Sequence, residues 1–214
     1  MLTRLAFFSL LIFSKVSYSQ SEIDKIVFDI TKFKLEASLI MSKLGIKQRI
    51  NFSMDDTLKL FIDTSLSVFN AKFGTLKEKG VISPDDLRFR YYLTPVIKVS
   101  PLMNLVITKS RDTTSLARLK AYSIIIHEIV HYLQETWDNE SYFVLQSKED
   151  EKLYISQPSE KEAYAAGSYF YLKINHKMVL NKIMLSSVSV QKKFEMLINA
   201  YREKVYPWRG KLFD

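Results

Sequence analysis

The 214-residue chain contains no cysteine. That absence excludes disulfide staples, thiolate metal ligands, a cysteine nucleophile and a lipid-modified cysteine, so any metal has to be held by nitrogen and oxygen. Glycine and proline are scarce, at five each, which excludes collagen-like or linker-rich organisation. Histidine is scarcer still, at three, so a spatial pattern among so few carries information. The formal charge is +8, yet the lysines and arginines are spread through helical segments rather than gathered in one block. This is the pattern of a solvated surface, and no nucleic-acid partner is expected.

Long apolar runs are also missing. The longest, Leu5 to Phe13, follows the cationic start Met1 to Arg4 and precedes the small-residue stretch Val16-Ser17-Tyr18-Ser19. A membrane-spanning helix needs about 20 apolar residues, and Ser14 and Lys15 interrupt this run well before that. The order of charge, apolar run and small residues predicts a secretory signal peptide over residues 1–19, hence a secreted or periplasmic protein with no transmembrane segment after its removal. Residues 20–214 are expected to form a single domain, because apolar residues make up 47% of the chain and no repeat or linker divides it.

Periodicity predicts a first helix from about Glu22 to Leu44, with Ile26, Ile30, Phe33 and Ile40 on its apolar face and Gly45 as its stop. A second is expected from Asp55 or Asp56 through Leu58, Phe61, Leu66, Phe69 and Phe73 toward Gly80. Between them and the next helix lie three β-prone runs, Tyr91 to Leu93, Val96 to Val99 and Leu105 to Thr108. Three further helices follow, giving an α+β fold that is mainly helical.

From Thr114 or Ser115, either a suitable N-cap, the sequence SLARLKAYSIIIHEIVHYLQETW predicts a helix carrying His127 and His131 four residues apart. Side chains at i and i+4 share a face, so both imidazoles reach one ion, while Glu128 is rotated by about 100°. This is H-E-x-x-H. With three histidines in the chain, chance produces the arrangement on the order of once in a thousand such sequences. The competing reading, two helix histidines satisfied by hydrogen bonds, leaves an apolar stretch burying two His and a Glu without evident partners. Zinc suits two imidazoles and a carboxylate; in an open site it lowers the pKa of its water toward about 7, and a neighbouring carboxylate takes the proton.

A third ligand is needed. Ser159 is expected to cap a helix carrying Glu160 and Glu162 in its first turn, and Glu162 is the expected ligand, with Glu160 in reserve and Asp138 or His176 as further alternatives. Ser159-x-x-Glu162 is also a capping box, which would occupy the Glu162 carboxylate with backbone N–H groups. His176 lies about 21 Å along the same helix from Glu162, so the two cannot serve one ion, and Asn175-His176-Lys177 reads as a helix end. Glu135 reads as a supporting or surface residue.

His127-Glu128-Ile129-Val130-His131 followed by Glu162-Ala163-Tyr164-Ala165-Ala166 resembles the gluzincin branch of zinc metallopeptidases, its thermolysin-like and minimal single-domain members above all, over roughly residues 100–175. The resemblance implies a zincin-like fold with a small sheet before the motif helix, zinc as cofactor, a glutamate third ligand on a following helix and Glu128 as general base. It implies a peptide or protein substrate, an edge strand for the substrate backbone at Leu105 to Thr108, and an oxyanion-polarising residue, for which Tyr164, Tyr169 or His176 are candidates. Metzincins are excluded, since Gln134 and Trp137 stand where that branch carries Gly and His. The alternative is an exported zinc-binding or partner-binding protein without catalysis.

Overall fold

The computed structural model describes residues 30–49, 58–66, 70–81, 89–109, 115–134 and 151–213. The expected signal peptide, the start of the first helix, the caps at Asp55 and Asp56, and Glu135, Trp137 and Asp138 lie outside them. Helix α1 spans Ile30–Leu44 and stops where expected, at Gly45 (φ 70°). Gly45 N–H donates to Ser42 O and Ile46 N–H to Met41 O, the paired closure that a glycine in the left-handed region allows, with Ile46 buried beneath it.

The expected second helix is instead sheet. Strand β1 is Lys59–Ile62, β2 is Ala71–Val81 and β3 is Phe89–Val99. The apolar residues that suggested a helix fit an alternation of two equally well: Leu58, Leu60 and Ile62 in the first run, and buried Ala71 and Phe73 flanking exposed Lys72 in the second. Pairing with β3 on both sides then satisfies the backbone. β3 is central, parallel to β1 (Leu60 opposite Ile97) and antiparallel to β2 (Phe73 opposite Ile97), which leaves β2 at an edge among the described residues.

The run Leu105 to Thr108, expected as a strand, belongs to helix α2, Pro101–Lys109. Ser100 and Pro101 explain why: the Ser100 hydroxyl accepts from Met103 N–H (3.3 Å) and proline occupies the first helical position, where no donor is lost. Met103 and Ile107, four apart and fully buried, anchor its inner face.

Helix α3, Leu116–Leu133, begins as expected at Ser115, whose hydroxyl accepts from Arg118 N–H (3.3 Å). It is the centre of the molecule, packed against α1, α2 and the sheet on some sides and against the long helix α5 on another. Ile125, Ile126, Ile129, Val130 and Leu133 are all completely buried, and each such side chain contributes about 1.5–3 kcal/mol of burial. The remaining elements are α4 (Glu151–Ser156), α5 (Pro158–Asn175), α6 (Lys177–Met184), α7 (Val190–Val205) and a 3-10 turn at Pro207–Arg209. The architecture is α+β and mainly helical, with a three-stranded mixed sheet ahead of the motif helix.

Candidate metal centre

Helices α3 and α5 run antiparallel in contact, and one residue sets how close they come. A Cβ on Gly167 would lie 2.6 Å from the Ser123 carbonyl oxygen and 3.6 Å from His127 Cβ, so only glycine permits this approach. Glu160 lies two turns earlier on the same face of α5. It therefore arrives opposite the two motif histidines.

His127 Nε2 and His131 Nε2 stand 3.0 Å apart. Glu160 Oε2 is 3.5 Å from the first and Glu160 Oε1 is 3.4 Å from the second. Ligand atoms held about 2.0–2.2 Å from a tetrahedral ion are separated by about 3.3–3.6 Å, so the donor set and the two imidazole–carboxylate separations match such a site, and the two imidazole nitrogens stand slightly closer than it requires. They form a group able to hold a metal ion. Two further observations fit a cation: the triad is largely buried, and Glu160 Oε2 is sealed from solvent with His127 Nε2 facing it at 3.5 Å.

Glu162, the expected third ligand, is not in this group; its Oε2 accepts from Gln134 Nε2 at 2.5 Å. Helix α5 starts earlier than expected, with Gln157 as N-cap and Pro158 in the first turn. The Ser159 to Glu162 capping box is consequently not formed, and residues two apart on a helix diverge by about 200°, so Glu160 meets the two histidines while Glu162 meets Gln134 at the C-terminal end of α3. His176 caps the far end of α5, its N–H donating to Leu172 O at 2.8 Å and its ring near Tyr171. Tyr164 does reach the site, its ring edge-on to His127 with centroids 4.4 Å apart, while Tyr169 is buried in the core.

Glu128 sits beside the triad, Oε1 3.8 Å from His127 Nε2. Its other oxygen accepts from the backbone N–H of Phe73 at 2.6 Å, the outer edge of β2 reaching across to α3. Burial pushes the Glu128 carboxyl upward, opposed by both histidines and by Phe73 N–H. For Glu160 burial also pushes upward, but hydrogen-bonding and charge interactions with His127 and His131 outweigh it and hold this carboxyl far below its usual range. His131 is the reverse case, burial pushing it down while Glu160, Glu128 and Gln134 raise it overall.

A cavity of about 230 Å³ opens beside His127 and Glu128, lined among others by Asn70, Ser123, Tyr164, Ser168, Tyr201 and Arg209. Sequence reasoning missed Gly167, Tyr154 (whose hydroxyl donates to Glu160 Oε1 at 2.8 Å) and the Phe73 N–H. A signal existed for the first, in the small-residue face of Ala163, Ala166 and Gly167 that marks a close helix pair and lies in line with Glu160. None existed for a backbone donor 55 residues away. No protein-family model, curated protein or solved structure matches the chain.

Proposed function

We propose that the protein is an exported zinc-dependent peptidase of gluzincin-like organisation, with zinc held by His127, His131 and Glu160 and with Glu128 as the general base. The observation that carries this reading is the convergence of two imidazole nitrogens and one carboxylate within 4.8 Å, with a second, non-ligating carboxylate alongside. Two nitrogens, one oxygen and no thiolate form a donor set suited to catalytic zinc. When bound, the ion supplies Lewis acidity and water activation.

The chain's own residues divide the remaining work. Glu128 has one oxygen fixed by Phe73 N–H and the other turned toward the metal side, so Oε1 takes the proton from the attacking water and returns it to the leaving amine. Its burial raises its basicity, which favours proton uptake. Strand β2, at the edge of the sheet and directly beside Glu128, takes over the substrate-strand role first expected of Leu105 to Thr108: an extended peptide pairs with its backbone. The adjoining cavity accommodates a substrate side chain.

The test is mass-spectrometric analysis of a diverse peptide mixture incubated with zinc-loaded protein, beside a chelated control and Glu128→Gln. Cleavage lost in both controls supports the reading. Undiminished cleavage by Glu128→Gln contradicts it, and zinc binding without any cleavage redirects it to a non-catalytic zinc protein.

A further inference from the structure

We infer that Tyr154 is a positioning residue for the third ligand, and that the segment 207–213, fastened by Asn199, holds Tyr154 in place. This rests on the reading of His127, His131 and Glu160 as a metal centre and adds a supporting layer to it.

The Tyr154 hydroxyl donates to Glu160 Oε1 at 2.8 Å. That oxygen is the one 3.4 Å from His131 Nε2, so the bond fixes the rotation of the carboxylate that faces both imidazoles. A ligating carboxylate free to rotate loses affinity when it is ordered on binding; one already hydrogen-bonded does not.

Tyr154 lies on α4, a six-residue helix too short to persist by itself in water. Two sets of contacts supply what the helix lacks. At its start, Glu151 accepts from Arg202 of α7 at Oε1 (3.0 Å) and Oε2 (3.1 Å), with Arg209 3.4 Å from Oε1. At its end, Ile155 joins Ile198, Leu212 and Phe213 in a small apolar cluster separate from the main core, and Tyr154 and Tyr164 pack against that cluster. The two tyrosines resting on it are the two that touch the metal centre, one through Glu160 and the other through the His127 ring.

The cluster depends on the 207–213 segment, which contains no regular structure after Arg209. The Asn199 side chain fastens its end: Asn199 Oδ1 accepts from Leu212 N–H (2.9 Å) and Phe213 N–H (3.2 Å), and Asn199 Nδ2 donates to Phe213 O. Lys161, one residue from Glu160, lies over the Phe213 ring at 5.1 Å. Asn199 thus reaches the metal centre through Leu212 and Phe213 and the two tyrosines that rest on them, Tyr154 and Tyr164.

The experiment is zinc affinity by competition with a chromophoric chelator, together with the visible spectrum of the cobalt-substituted protein, for the full chain and for Tyr154→Phe and Asn199→Ala. Tyr154→Phe keeps the ring and its packing and removes only the hydroxyl. It is expected to weaken zinc about 10- to 100-fold and to change the cobalt spectrum, while the melting temperature of the chelated protein stays close to that of the parent. Asn199→Ala is expected to weaken zinc in the same direction and to lower that melting temperature as well. If the parent binds one zinc and Tyr154→Phe binds it equally tightly with an unchanged cobalt spectrum, the inference is overturned and the metal centre stands. If the parent binds no zinc, the metal centre itself is overturned.

Discussion

Phe73 N–H donates to Glu128 Oε2 at 2.6 Å, joining the edge of the sheet to the motif helix at a carboxylate that stands outside the His127, His131 and Glu160 group. The bond has a structural and a chemical consequence that two substitutions separate. Glu128→Gln keeps an acceptor for Phe73 N–H, whereas Glu128→Ala leaves a buried donor unpaired. Glu128→Ala should therefore be less stable than Glu128→Gln by about 1–3 kcal/mol, measured by urea unfolding of the chelated proteins. Both should retain one zinc, and cleavage by either should fall by at least about 100-fold.

Gly167 is the point of closest approach between α3 and α5. Gly167→Ala places a methyl group 2.6 Å from the Ser123 carbonyl oxygen, and neither helix backbone can yield without moving the other. The expected cost is about 1–3 kcal/mol, read as a lower melting temperature in chelator. Because the same contact sets the approach of Glu160 to His127, zinc affinity should fall too, and unchanged affinity would show that the helix spacing does not govern the site.

The pH dependence of the metal-free protein follows from His131. Its pKa is raised overall despite burial, through Glu160 chiefly and then Glu128 and Gln134. A raised pKa means that the stabilisation is fully present below the unfolded value of about 6.5 and is lost as the pH rises through the higher folded value. Glu160, held low by both histidines against its burial, has the opposite sign: its contribution is present above about 4.3 and disappears as the pH falls through its depressed pKa. Thermal melts of chelated protein should show stability declining above about pH 6.5, and His131→Gln should flatten that decline. Zinc affinity should rise over the same interval, since the ion competes with the proton on His131.

Local signals were enough for the motif helix. Ser115, the apolar periodicity and the H-E-x-x-H spacing lie within one stretch of chain, and Gly45 ended α1 for a reason internal to that turn. The second helix misled because Leu58 and Phe61 are spaced as on a helix face while Leu58, Leu60 and Ile62 alternate as in a strand, and pairing with β3, distant in sequence, decides for sheet. Ser100-Pro101 was a readable helix start that the β-branched run Val106-Ile107-Thr108 obscured. Choosing between Glu160 and Glu162 depended on which face of α5 meets the histidines, and that is set by the close approach at Gly167, seven residues after Glu160 and on the same face.

Zinc titration of the chelated parent, Glu160→Gln and Glu162→Gln, with a chromophoric competitor, reads out whether His127, His131 and Glu160 hold one zinc. The expected result is one zinc per parent chain, a loss of at least about 100-fold in affinity for Glu160→Gln, and Glu162→Gln within a few-fold of the parent. Loss of zinc in Glu162→Gln with retention in Glu160→Gln, or no zinc bound by the parent, would contradict it.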